Sequence, residues 1–353
     1  MVASEYLIYL SFHSLEIFNS LYLERALLLV GMIFPFIFIT SMIYRQKHFS
    51  ALNSWVYTVG ALWFGIIFYL FVVAFIISIL VLINNYLGFN LPIRFLTITL
   101  VCLALFVITY GIYNARNPKI VRWEIKSKTL AKLWKDKKII FISDTHLGNM
   151  RREKFMKKIV DIINSEKPYI TFNLGDLIDG PSFDYEKVFA PFDDLKATVG
   201  NYYVEGNHEG YSKEYSLFRS HFPKNLNDIT NKKITINGTQ IIGLPYHKKS
   251  KNKIKNELNI LDYNKNMPSI ILMHDPKNTS VLVKNNASLV LSGHTHGGQF
   301  FPITVILKIL HGAYFHGVYY TANTVSAISS GVGEAMPPIR IGTNSEIVVL
   351  TIV

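Results

Sequence analysis

The sequence predicts N-terminal transmembrane α-helices followed by an α/β domain, a mixed sheet system covered by helices. Three observations carry that fold class. First, charge is divided unevenly along the 353 residues: Ala26 to Ala115 contains only Arg45, Lys47 and Arg94, and no acid. Second, that stretch holds apolar runs as long as the roughly 20 helical residues a bilayer core requires. Third, from Lys137 onward short β-rich runs alternate with helical runs, and five of the strand-like runs stop abruptly in Asp, Asn or His.

The composition agrees with this division. The chain is 50% hydrophobic and only 17% charged, which excludes a disordered or low-complexity protein. The formal net charge of +12 lies almost wholly in the later part: residues 1–115 carry four Lys/Arg against three acids, and the remainder carries 32 against 21. The single cysteine, Cys102, excludes an internal disulfide framework and a cysteine-rich zinc site.

Residues 1–115 read as a membrane anchor of three or four helices. Ala26–Tyr44, Trp55–Ile83 and Phe95–Tyr113 are free of charge, with Tyr44, Trp55, Tyr57, Tyr86 and Tyr113 near the run ends, where interfacial aromatics belong. Pro35 falls inside the first run, which membrane helices tolerate. Residues 6–23 are apolar but carry His13, Glu16 and Asn19, and suit either a fourth span or an interfacial helix. Arg45 and Lys47 follow one span, and Arg116, Lys119 and Arg122 follow the last. Only Arg25 and Arg94 lie on the opposite side. The positive-inside rule then places a multi-pass protein in the cell membrane with its C-terminal domain in the cytoplasm.

Residues 116–136 read as a linker and 137–353 as the water-soluble domain. Lys138–Ser143 is expected as a buried strand and Glu153–Asn164 as an amphipathic helix, with Phe155, Ile159, Ile162 and Ile163 on one face. Pro168–Leu174 is expected as a strand, Tyr185–Lys196 as a helix and Tyr202–Val204 as a short strand. Ile234–Leu244 is expected as a hairpin turning on Asn237-Gly238. Ile270–Met273, Ser288–Leu291, Val318–Ala322, Val325–Ser329 and Ile347–Ile352 complete the strands.

The chemistry lies at the strand ends. IIFIS runs into Asp144-Thr-His146, YITFNL into Gly175-Asp176-Leu-Ile-Asp179, and YYVE into Gly206-Asn207-His208-Glu209. SIILM runs into His274-Asp275, and SLVLS into Gly293-His294-Thr-His296. In α/β sheets, ligands bind beyond the carboxyl ends of strands, so these five loops are expected to converge. Imidazole and carboxylate together suit zinc, iron, nickel or manganese. Each motif alone has a plainer use as a turn or cap, but the five in succession indicate a metal site.

The order DTH, GDLID, GNHE, H, GHTH resembles that of the calcineurin-like metallophosphoesterases over about residues 137–353. GHTHGGQ at 293–299 and PPIRIGTNSEIVVL at 337–350 resemble more closely the membrane-attached bacterial-type subfamily, whose members include phosphodiesterases and UDP-diacylglucosamine pyrophosphatases. The resemblance implies a four-layer α/β/β/α sandwich and two divalent metal ions of the Mn, Fe or Zn type. It implies Asp144, His146 and His296 on one ion, Asn207, His274 and His294 on the other, Asp176 between them, and His208 as general acid. Asp179 and Glu209 are expected to orient histidines, and Arg340 to neutralise a substrate phosphate or to form a structural ion pair.

The expected activity is hydrolysis of a phosphodiester or pyrophosphate bond, of a lipid-linked or nucleotide-containing substrate. The expected partners are the bilayer and that substrate. Lys248, Lys249, Lys251, Lys253 and Lys255 form a basic run suited to an anionic leaflet or to a solvated loop. The run lacks the interleaved aromatics of a single-strand nucleic-acid groove, so no nucleic-acid binding is expected, and no obligate protein partner is inferred. The competing reading is a catalytically silent membrane scaffold that retains the fold. All seven ligand positions and His208 are present, which favours the enzyme.

Overall fold

The computed structural model describes residues 8, 21–45, 50–180, 183–211, 215–246 and 250–353. It divides into two compact units: residues 1–113 with 336–341, and residues 114–335 with 342–353.

The first unit is helical. Helix α1 (Leu21–Arg45) includes Pro35, α2 spans Ala51–Leu87 and α3 spans Ile93–Arg116. Ser50 Oγ accepts the Asn53 N–H at 3.1 Å and caps the start of α2, and Gly88 ends it in the left-handed conformation at φ 69°. Among the described residues, α2 and α3 are long and apolar enough to cross a membrane. At about 1.5 Å per residue, α2 is roughly 55 Å long, well beyond a bilayer core of about 30 Å. The first expected span falls on α1, whose described apolar run, Ile33–Ile43, is shorter than a crossing. The expectation for residues 6–23 lies outside the described residues, Ile8, Leu21 and the backbone of its neighbours excepted. Helices α1 and α2 approach closely at Gly60, where an added Cβ would sit 2.2 Å from the Phe38 ring.

The second unit begins with β1 (Lys119–Ile125) and the short helix α4 (Ala131–Trp134). Residues 116–136 are therefore not a linker. β1 pairs in parallel with β14 (Glu346–Ile352), from Lys119 opposite Glu346 to Ile125 opposite Ile352. Then follow β2 (Ile139–Ile142), β3 (Leu147–Gly148), α5 (Glu153–Ser165), β4 (Ile170–Asn173), β5 (Ile178–Asp179), α6 (Tyr185–Phe189) and β6 (Gly200–Tyr203). The helix expected over Tyr185–Lys196 is divided: Pro191 lies in a 3-10 turn, Ala190–Asp194, that ends it. Helices α7 (Asn207–Tyr211) and α8 (Tyr215–Ser220) precede β7 (Asn227–Asp228), β8 (Lys232–Ile236) and β9 (Thr239–Gly243). β8 and β9 form the expected hairpin, with Asn237 and Gly238 at φ 49° and 66°. The chain continues through α9 (Lys251–Ile260), β10 (Ser269–Leu272), α10 (Thr279–Lys284), β11 (Leu289–Ser292), α11 (Ile303–His311), β12 (Gly317–Thr321) and β13 (Thr324–Ile328).

Two six-stranded sheets result. The first runs β1-β14-β2-β4-β6-β7 and is parallel except between β14 and β2. The second runs β12-β13-β11-β10-β9-β8, with an antiparallel pair at each edge. Side chains alternate across each strand. Phe141 and Phe172 face inward and meet Leu272 and Leu291 between the sheets. Ile140 and Ile142 face outward under Met156, Ile159 and Ile163 of α5. On the far side, Ile271 and Val290 lie under Ile254, Leu258 and Leu282 of α9 and α10. This is the four-layer α/β/β/α arrangement. Each large side chain enclosed in it contributes about 1.5–3 kcal/mol.

Candidate metal centre

Strands β2, β4 and β6 are neighbours in one sheet and β10 and β11 in the other, so five carboxyl ends lie side by side. Backbone bonds continue past the strands and hold the loops in register. The Asp144 N–H donates to Gly175 O at 3.0 Å, His146 N–H to Asp176 O at 3.0 Å, and Gly293 N–H to His274 O at 3.0 Å. One sheet is tied to the other by the Asp144 carboxylate, whose Oδ2 accepts the His294 N–H at 3.0 Å and also the Ser143 hydroxyl.

Glycines make that proximity sterically feasible. An added Cβ on Gly206 would lie 2.2 Å from Asp176 Oδ1, and one on Gly293 would lie 1.8 Å from Ser143 Oγ. Five functional side chains sit on left-handed backbone: Asp144 at φ 56°, His146 at 45°, Asp176 at 52°, His294 at 70° and His296 at 50°. Such conformations are uncommon for non-glycine residues and gather where surrounding structure over-determines them, typically at functional sites.

Six of the seven expected ligands, all but Asn207, fall into two compact groups. Asp144, His146 and His296 form one group and Asp176, His274 and His294 another, with the ligand atoms of each group within 4.8 Å of one another. A third group joins His146 to Asp179 and His208. Imidazole nitrogens face each other in both main groups: His146 Nε2 is 3.2 Å from His296 Nε2, and His294 Nδ1 is 3.1 Å from His274 Nε2. Asp176 Oδ2 lies between the groups, 3.1 Å from His274 Nε2 and 3.9 Å from His146 Nε2. His274 Nδ1 lies 2.8 Å from Leu174 O, so it carries a proton and Nε2 is the ring nitrogen directed into the cluster.

The donor set fits divalent cations. Asp144 Oδ1 and Asn207 Oδ1 are buried acceptors with no hydrogen-bond partner among the described residues. A buried acceptor of this kind is costly unless something electropositive meets it. Burial opposes charge on Asp144, but His296 and His274 outweigh it and hold the carboxyl below its ordinary range. Burial likewise opposes charge on His274, yet Asp176 outweighs it and pushes the imidazole up to about 10. A cation competes directly with that proton.

His208 is only partly enclosed, its side chain 31% exposed. Its Nδ1 lies 3.6 Å from Asp179 Oδ1 and its Nε2 3.9 Å from Asp176 Oδ2. Asp179 thus lies beside a histidine, the neighbour expected for it. Glu209 contacts backbone instead. Its carboxylate accepts backbone N–H groups from Asp176 at 3.1 Å, Leu177 at 2.5 Å, Ile178 at 3.3 Å and Gly206 at 2.8 Å. It fastens the loop after β4 to the loop after β6. Burial and the Asp176 charge nonetheless push its pKa up to about 7. Arg340 is fully buried and groups with the first unit, where its N–H donates to Gly111 O at 3.0 Å. Sequence reasoning missed residues 331–333: Val332 and Gly333 N–H donate to Ser143 O and Asp144 O, and a Cβ on Gly331 would lie 2.8 Å from Asp144 Cβ. The Gly-Val-Gly that follows β13 was the available signal.

The calcineurin-like phosphoesterase family matches residues 137–298, a stretch that contains every one of these ligands. An uncharacterized metallophosphoesterase of Campylobacter jejuni is 30% identical over 346 residues, covering 91% of this chain and 89% of that protein. The chain belongs to the metallophosphoesterase family. Metallophosphoesterases are metal-dependent phosphoester hydrolases. An uncharacterized metallophosphoesterase of Helicobacter pylori is 32% identical, over 68% of this chain and 65% of its own length. A Bos taurus protein named as a transmembrane protein with metallophosphoesterase domain is 29% identical, over 67% of this chain and 58% of its own.

Proposed function

We propose that this metallophosphoesterase is a bilayer-anchored hydrolase that cleaves a phosphodiester or pyrophosphate bond with two divalent cations of the Mn, Fe or Zn type. Asp144, His146 and His296 hold one ion, Asn207, His274 and His294 the other, and Asp176 both. The observation that carries this reading is the meeting of two Asp/His groups around a single Asp176 carboxylate. When bound, such a pair of cations neutralises phosphate charge and makes water acidic enough to attack near neutral pH.

The chain's own residues do the rest. The phosphorus–oxygen bond to the leaving group breaks as the bond to the water oxygen forms, and the leaving oxygen takes a proton. His208 stands at the mouth of the cluster and supplies that proton, its ring oriented by Asp179. Helices α2 and α3 and the transmembrane relatives support membrane attachment, and the basic residues flanking the spans support a multi-pass protein with a cytoplasmic catalytic unit. Catalysis at a membrane supports a lipid-linked substrate, a nucleotide-containing one being the alternative. Lys251, Lys253 and Lys255 are exposed on α9 and suit an anionic leaflet, while Lys248 and Lys249 lie outside the described residues.

Elemental analysis of the purified full chain tests the centre, alongside hydrolysis of bis(p-nitrophenyl) phosphate. Two ions per chain are expected, and Asp176→Ala should lose both ions together with activity. Two ions retained by Asp176→Ala would refute the shared ligand. Two ions in the wild type without turnover on any phosphoester would identify a silent scaffold.

A further inference from the structure

Helix α11 is amphipathic in the reverse sense for a water-soluble domain. Val305, Ile306, Ile309 and Leu310 are 49, 47, 76 and 74% exposed, and Phe301, just ahead of the helix, is 53% exposed. None of its nine residues is buried. At about 100° per residue, the four aliphatic side chains share one face of roughly 140°. Thr304 lies on the other face and is the side that meets the domain: an added Cβ on Gly298 would sit 2.5 Å from Thr304 Cα, and one on Gly342 would sit 3.6 Å from Thr304 Cγ2. A contiguous apolar face of this kind marks an interaction surface, unlike scattered single residues.

Two features select a lipid surface as its occupant. Helices α2 and α3 are long and apolar enough to cross a membrane, and only Asn117 and Pro118 separate α3 from β1. A chain anchored in that way meets lipid at a high effective concentration, which no free partner matches. The composition points the same way. The face is aliphatic, Lys308 borders it, and Ile303–His311 contains no Trp, Tyr or Arg, the residues that dominate protein–protein hot spots.

We infer that α11 is an interfacial helix that lies in the bilayer surface, with Val305, Ile306, Ile309 and Leu310 among the headgroups and upper acyl chains. It takes its lipid from the bilayer-anchored reading proposed above. Seven residues separate His296 from Thr304, and Gly298 between them packs on the helix, so docking of α11 holds the His294–His296 loop at headgroup level. The phosphoester within reach is then one carried by a lipid.

The test uses the full chain with Cys102→Ser as background and one new cysteine, Ile309→Cys or, as a solvent reference, Lys157→Cys. Each is labelled with an environment-sensitive NBD dye in phosphatidylcholine vesicles containing about a quarter phosphatidylglycerol. At 309 the emission should shift to the blue and be quenched by brominated acyl chains; at 157 it should do neither. Equal, water-like emission at both positions overturns the inference. Shielding at 309 that brominated lipid does not quench, or that rises with protein-to-lipid ratio, assigns the face to a second copy or another protein segment and overturns it as well.

The double variant Ile309→Glu/Leu310→Glu should lose roughly tenfold or more on a vesicle-embedded p-nitrophenyl phosphatidyl diester and stay within about twofold on soluble bis(p-nitrophenyl) phosphate. An equal loss on both, or none on either, contradicts the inference. The fluorescence requires no turnover. An inactive wild type with a lipid-quenched label would therefore refute the hydrolase and leave the interfacial helix standing.

Discussion

His208 differs from four of its neighbours in exposure, and the role proposed for it as general acid rests on that difference. Asp144, His146, Asp176 and His274 are each no more than 2% exposed, whereas the His208 side chain keeps about a third of its surface. A group enclosed among carboxylates and imidazoles is placed to hold an ion; a group at the mouth is placed to meet a leaving oxygen. His208→Ala should therefore retain both ions and lose about 10²–10⁴-fold in kcat, the usual worth of a positioned acid. The loss should be smaller for a p-nitrophenyl leaving group, which departs without a proton, than for an alkyl one. An equal loss on both leaving groups would assign His208 to binding.

At the scale of elements, the site was more legible in the sequence than the fold that carries it. Asp144, Asp176, Asn207, His274 and His296 could be read because each lies within four residues of the end of a short strand, a purely local pattern. β1 could not. Its sequence KIVRWEI carries three charges, and its partner β14 lies more than two hundred residues away, so only tertiary pairing makes it a strand. Helix α11 escaped for the opposite reason: ITVILKILH has an apolar face but no core to meet. Glu209 was read as a histidine partner because a side chain's choice of four backbone N–H groups leaves no trace in spacing.

The joint between β1 and the end of α5 makes a pH prediction at this scale. Arg122 donates two hydrogen bonds to Glu166, at 2.9 and 2.8 Å, and Lys138 adds a third contact at 3.3 Å. The hydrogen bonds from Arg122 lead in lowering the Glu166 pKa from 4.5 to about 2. A carboxyl depressed on folding stabilises the fold above its unfolded pKa and loses that contribution as pH falls through the folded one. Arg122→Ala should thus lower the thermal midpoint modestly above pH 4.5, as expected of a solvent-screened pair, and the difference should vanish towards pH 2. A difference independent of pH would mean that Arg122 acts through packing on β1.

In the catalytic unit as a whole, the candidate metal centre is one of the places where the two sheets are fastened. The layer between them is apolar; Tyr169 bonds to Asn237 and Ser329 Oγ donates to Glu346 away from the centre, and at the strand ends His294 N–H reaches Asp144 and His274 Nδ1 reaches Leu174 O from one sheet to the other. Under the reading proposed above, ions held jointly by the loops after β2, β4 and β6 on one side and β10 and β11 on the other would add bonds across the same seam. Binding that requires the folded arrangement stabilises it by mass action, about 4 kcal/mol at a thousandfold excess over Kd. Treating the full chain in detergent with a chelator should therefore lower its unfolding midpoint, and returning Mn or Zn should restore it. The Asp176→Ala protein should show no response to either step. Hydrogen exchange should localise the change: amides after β2, β4, β6, β10 and β11 should lose protection on chelation, while α2 and α3 keep theirs. Uniform loss throughout the chain would place the ions' contribution in the global fold and not at the seam.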